Sequence, residues 1–276
     1  KLFAQTLKPV RGVIHLDSTI SGGEMAPEEL VRFLKENDMQ AAIFSDQITT
    51  HVHYGFFPLP AFTEWLSAKI VASRFGREGS VSSYGAYNYL SLIKDLDRKH
   101  EDLTVIPGVE AFPFYYWREN LLQGQLTMVD GHKHFLALGL TEPSDYENMP
   151  TIGEGFFRGY NSQSLLSLWP LALLIFAVKV YLQSRRAERS VLFKIPAQIF
   201  FVVGVLFLIN NYPYKFGKYA AYGGDQGQQP YQDFIDYVVD RGGLVFWAHP
   251  EAGKDQTYAM GPLTVGMETE APYQDL

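Results

Sequence analysis

Two uninterrupted apolar runs joined by a basic loop constrain this chain more than any other feature. The first, LLSLWPLALLIFAVKVYL from Leu165 to Leu182, carries one charge, Lys179, near its end. The second, VLFKIPAQIFFVVGVLFLI from Val191 to Ile209, carries Lys194 and Gln198 near its start. A helix rises about 1.5 Å per residue, so each run is just long enough to cross a hydrocarbon core of about 30 Å. Both lysines lie beside the connecting loop QSRRAERS, where long stems reach the interface. Pro170 and Pro196 fall in the expected first turns, where a missing backbone donor costs little, and Trp169, Tyr212 and Tyr214 mark the opposite ends, as aromatic belts do. The pattern predicts a transmembrane helical hairpin over 164–211 in contact with the lipid bilayer; a pair of buried core helices is the alternative. Arg185, Arg186 and Arg189 place the loop in the cytoplasm by the positive-inside rule, leaving both flanks extracytoplasmic, on the periplasmic side in a bacterium.

The flanks, 1–163 and 212–276, suffice for one sizeable domain that the hairpin interrupts. A net charge of -7, with no Arg/Lys stripe among aromatics outside the hairpin loop, argues against nucleic acid as a partner. Because there is no cysteine, disulfides and thiolate metal sites are excluded, and a transition metal must be held by His, Asp and Glu.

Along the chain, strand and helix patterns alternate. LKPVRGVIHLDSTISGG reads as a strand ending at His15 and a polar turn; PEELVRFLKENDM as a helix opening on Pro27 with Leu30, Phe33 and Leu34 on one face; QAAIFSDQ as a short buried strand. YGAYNYLSLIKDLDRKHEDL is a further helix, and LTVIPGVEAF a strand ending near Glu110. PFYYW, Pro113 to Trp117, is expected to line a substrate mouth or dip toward the bilayer. After the hairpin, a Gly/Tyr/Gln-rich tract precedes a helix over PYQDFIDYVVD and a buried strand delivering His249. This rhythm predicts an α/β fold with parallel strands, whose chemistry sits at the carboxyl ends of the strands; His15, Asp46, Glu110 and His249 occupy such ends.

Those residues carry a resemblance to the PHP (polymerase and histidinol phosphatase) family, metal-dependent phosphoesterases built on a distorted β/α barrel. HLDSTISGG resembles the family's opening motif, with His15 at its first histidine, Asp17 at its second and Gly22 at its aspartate. SDQ is similar to the Thr-Asp-His motif, keeping Asp46 and putting Gln47 where a histidine ligand stands. GVE supplies Glu110, HFLALGL supplies His134 and WAHP supplies His249. The resemblance implies a PHP-like barrel interrupted by the hairpin, one metal site from Glu110, His134 and His249, and a second from His15, Asp17, Glu110 and a late aspartate. It gives Glu110 and Asp17 the catalytic carboxylate roles.

A third site would need ligands at Gly22 and Gln47, and glycine offers none while an amide suits a transition metal poorly. The final Asp-x-His motif is also missing before Leu276, so the last strands are expected to be absent from this sequence. One or two zinc, manganese or iron ions are the expected cofactors. The expected function is a membrane-anchored, extracytoplasmic, non-catalytic scaffold or accessory subunit of a larger complex with other integral membrane subunits, in effect a pseudoenzyme. The alternative is a metal-dependent phosphoesterase, and a small phosphorylated ligand fits either. His51 and His53 form a His-x-His pair that would rescue the third site or be merely solvated; His132 is equally open, and His100 reads as an exposed helix end.

Overall fold

The computed structural model describes residues 9–49, 54–66, 79–120, 123–152, 159–186, 191–249, 256–260 and 263–269. The chain forms two compact units, Lys1–His51 with Glu78–Phe157 and Tyr219–Leu276, and Val52–Arg77 with Arg158–Lys218. The His51/His53 pair lies outside the described residues.

The first unit is mixed α/β. Strands β1 (Gly12–Leu16), β2 (Ala41–Phe44) and β3 (Thr104–Ile106) form a parallel sheet in that order. The helix Pro27–Glu36 connects β1 to β2, with Pro27 preset for its first turn and Glu28 and Glu29 complementing its dipole. Its buried residues are Pro27, Val31 and Leu34, one i, i+4, i+7 stripe, whereas Phe33 is 51% exposed; the inward face is turned one position from the expected one. The helix Ala86–Lys99 leads to β3 and buries Tyr89, Ile93 and Leu96. Burying such side chains contributes about 1.5–3 kcal/mol each.

Beyond β3 the expected parallel rhythm stops. β4 (Gly108–Ala111), β7 (Phe135–Leu138) and β8 (Leu244–Trp247) make an antiparallel sheet in the order β4-β7-β8. β5 (Tyr116–Asn120), β6 (Gln125–Val129), β9 (Gln256–Met260) and β10 (Leu263–Glu268) make a third sheet in the order β5-β6-β10-β9. No crossover helix separates β4 from β7, so β7 returns antiparallel. Among the described residues the strands form these separate sheets and no closed barrel.

Gly108 is seated where a Cβ would meet Leu138 Cδ2 at 2.5 Å and the Phe44 carbonyl oxygen at 2.8 Å. The Tyr89 hydroxyl donates to the Gly108 carbonyl at 2.9 Å. This close packing fixes β4, and with it Glu110 two residues on. Phe114, Tyr115 and Tyr116 are buried, so the PFYYW stretch packs inward and enters β5 instead of lining an exposed mouth. β8 is an edge strand with Leu244 and Phe246 exposed, which departs from the expected buried strand.

The second unit carries two long helices, Pro170–Arg186 and Val191–Asn211. Its two stretches long and apolar enough to cross a membrane are Ser162–Arg185 and Lys194–Asn211. The helices pack through Phe176 against Phe200 and Trp169 against Phe207, with ring centroids 5.2 and 5.0 Å apart. Ala177 and Ala197 are buried, and a Cβ on Gly204 would lie 2.7 Å from Leu174 Cδ2. Only 11% and 17% of the two apolar windows is buried, so most of their apolar surface is left uncovered by the described residues. Because the second helix starts at Val191, Pro196 lies inside it and not in its first turn.

Candidate metal centre

The site is assembled from polar residues in or beside four strands, β1, β4, β7 and β8. His15 is the fourth residue of β1 and holds φ at 67°, with a register irregularity between Val13 and Leu16. A non-glycine residue in the left-handed region is strained, and such strain is retained where the surrounding structure over-determines it. Asp17 follows directly. Glu110 sits in β4, and the backbone of the β2 exit is stitched to it: Ile48 N–H donates to the Glu110 carbonyl at 2.8 Å, and Glu110 N–H to the Ser45 carbonyl at 3.1 Å. His134 and His249 enter from the antiparallel sheet, one just before β7 and the other just after β8.

Glu110 is the hub. Its side chain is 1% exposed. His134 Nδ1 donates to Oε1 at 2.7 Å and His249 Nε2 to the same oxygen at 2.9 Å. On the other oxygen, Gln47 Nε2 donates to Oε2 at 3.2 Å, and His15 Nε2 approaches within 3.5 Å. Burial alone would raise the Glu110 pKa, but pairing with His134 and His15 outweighs it and holds the carboxyl well below the usual range. It is therefore an anion at any ordinary pH.

His15, Glu110 and His249 bring one donor atom each to within 4.8 Å of one another. Two nitrogens and a carboxylate oxygen match the donor set of a catalytic zinc site, in which three protein ligands leave one position open. Further observations fit a cation. His15 Nε2 is buried with no hydrogen-bond partner, its approach to Glu110 being ionic reach without bonding geometry, and Asp17 Oδ1 is likewise buried and unbonded. Unpaired buried polar atoms are costly, and a cation is one way to satisfy them.

Asp17 is pushed up to about 6, first by burial and then by the Glu110 charge beside it. His15 is raised above its usual value by its contact with Glu110, against the opposing effect of burial. His134 stands slightly apart from the three-residue group. Its Nε2 lies 2.9 Å from the Gly131 carbonyl and its Nδ1 2.7 Å from Glu110, so an acceptor stands at each ring nitrogen. A metal would take His134 only by displacing one of these contacts. Phe112 packs against its ring, with centroids 4.0 Å apart.

No family model matches the chain, and no curated protein matches it. Among solved structures it is similar to a candidate metal-dependent phosphoesterase from Bifidobacterium adolescentis. The identity is 16%, over 89% of this chain and 70% of that one, with a TM-score of 0.30. Likeness at that level carries no weight for the chemistry, which rests on the residues themselves.

Of the other residues read from sequence, Asp46 is fully buried and bonded to serines beside the Glu110 cluster. Its carboxylate accepts from Ser18 N–H at 2.8 Å, Ser18 Oγ at 2.9 Å and Ser21 Oγ at 2.8 Å, which ties down the turn just after Asp17. Burial raises its pKa, opposed by those same hydrogen bonds. Gly22 is exposed, with nothing within 4 Å of an added Cβ. His132 feels the charges of His134 and His249, and burial first lowers its pKa. His100 ends the helix Ala86–Lys99, where its Nδ1 lies 3.4 Å from Lys35 Nζ. Sequence reasoning missed the serine cradle of Asp46; two serines three apart in a glycine-bearing turn were the available signal. It also missed Lys133, a cation only 2% exposed beside His134, for which the sequence holds no signal.

Proposed function

We propose that this chain is a membrane-anchored, PHP-like protein that holds one divalent cation at His15, Glu110 and His249 and hydrolyses phosphate esters. The observation that carries the reading is the convergence of those donor atoms within 4.8 Å around a buried anion. When bound, a zinc, manganese or iron ion supplies Lewis-acid polarisation of a phosphoryl oxygen. Glu110 provides the fixed negative charge, and His15 from β1 and His249 from just after β8 bring ring nitrogens. Asp17, titrating near 6, is ionised at neutral pH and accepts a proton from the attacking water.

The Gln47 amide favours a second reading. It donates to Glu110 Oε2 at 3.2 Å, so that oxygen would be less available to a second ion, which works against the two-ion clamp of phosphoesterases. A chain limited in this way would serve as a non-catalytic accessory subunit that binds a phosphorylated ligand or other integral membrane subunits. The exposed apolar windows support the anchor in either case. Assays on phosphomonoesters and phosphodiesters with added zinc, manganese or iron separate the two. Metal-dependent turnover lost in Glu110→Ala is the expected result; no turnover with any ion, despite binding, would leave the accessory reading in its place.

A further inference from the structure

The loop between β6 and β7 carries a buried ion pair that the chemistry above does not use. Lys133, 2% exposed, places Nζ 2.8 Å from Asp130 Oδ2 and 5.4 Å from the centre of the Tyr231 ring. The Tyr231 hydroxyl donates to the same Asp130 oxygen at 3.2 Å and lies 3.3 Å from the Phe114 carbonyl. Tyr231 belongs to the helix Gln229–Val239, and Asp130 N–H donates to the Glu268 carbonyl of β10 at 2.7 Å. One short loop is thereby held by a helix and by β10, and the helix residue that holds it also reaches Phe114.

Burying an ion pair costs desolvation that its attraction seldom returns, so stability is a poor reason for this one. Its placement supplies a better reason. The pair spans the i, i+3 positions of the loop, with Asp130 at φ 63° and Lys133 N–H donating back to the Asp130 carbonyl at 3.1 Å. Between those two residues lies Gly131, whose carbonyl accepts from His134 Nε2. Closing the loop sets the direction of that carbonyl, the carbonyl sets the plane of the His134 ring, and the ring presents Nδ1 to Glu110 Oε1 at 2.7 Å.

We propose that Asp130, Lys133 and Tyr231 are positioning residues that aim His134 at Glu110 and so orient the carboxylate that holds the cation. The inference rests on the proposed cation site. Residues that orient a ligand in this way typically change metal affinity by about 10- to 100-fold when altered.

The test uses the full chain in detergent. Asp130→Asn with Lys133→Met removes both charges while keeping an acceptor for Tyr231 and a residue type that tolerates the left-handed backbone. One readout is the His134 Nδ1–H resonance in the metal-free protein, assigned by its loss in His134→Gln. The other is the Kd for zinc alone, by competition with a chromophoric chelator. A displaced or missing resonance and a Kd raised about 10- to 100-fold, in a protein that melts near wild type, is the expected result. An unchanged resonance and Kd would overturn the proposal. Should the double variant fail to fold, Tyr231→Phe decides, since loss of the hydroxyl frees one side of Asp130; a shifted resonance supports the proposal and an unshifted one overturns it. If wild-type protein binds no zinc, the cation reading fails, and the resonance arm still judges the positioning.

Discussion

The Glu110 cluster and the helical hairpin depart from ordinary burial in opposite directions. In the first, a charged group is withdrawn from water: Glu110 is 1% exposed. In the second, large apolar side chains are left uncovered, Ile175 at 70% and Ile199 at 56%. Both departures are costly for an isolated chain in water; on the proposed reading a cation would offset the first and a bilayer the second. The cluster specifies its partner by donor geometry, whereas the hairpin specifies only length and apolarity.

Breaking the cluster should have the largest effect. Glu110→Ala leaves His134 and His249 without their shared acceptor, and removing one partner of a buried charged set costs about 3 kcal/mol. A markedly lower melting point together with loss of cation binding is expected, and a variant that melts like wild type would mean that Glu110 is not the hub. The hairpin's counterpart is Gly204→Leu, which drives a side chain into Leu174 and should weaken helix pairing by about 1–3 kcal/mol without altering cation affinity. Helix content on heating in detergent reads the first effect; a changed zinc affinity would show that the two regions are coupled.

Rebuilding what the cluster lacks has a smaller expected effect. Gly22→Asp with Gln47→His restores ligand types where the PHP pattern has them, and position 22 has room for a side chain. A second, weaker ion per chain in elemental analysis is expected, and continued binding of one ion would show that Gln47 is not what limits the site.

The smallest effect is a slope. Asp17 has its folded pKa raised to about 6, so the metal-free fold holds that proton more tightly than the unfolded chain. Its contribution is present at low pH and is lost as pH rises from about 4 to about 6, and the raised pKa of His15 extends the loss to higher pH. Thermal melts of metal-free protein should fall over that range, and Asp17→Asn should flatten the lower part. An equal slope in the variant would assign the titration elsewhere.

Much of this was legible in the sequence where the signal is local. The β1-helix-β2 unit, the helix Ala86–Lys99 and both apolar helices follow from periodicity and punctuation, and His15, Glu110 and His249 from their motifs. What escaped depends on contacts distant in sequence. The antiparallel return of β7 follows from a missing crossover, and the inward turn of Phe114 to Tyr116 from pairing between β5 and β6. His134 reads as a ligand in its motif, yet its ring is held between Glu110 and a backbone carbonyl, a distinction that spacing does not encode.

The most direct measurement is the number of ions per chain, by elemental analysis of detergent-purified protein loaded with zinc and desalted, wild type beside Glu110→Ala and His249→Ala. One ion in wild type and none in either variant is the result expected of a single centre built from His15, Glu110 and His249. An ion-free wild type, or variants that keep their ion, would contradict it.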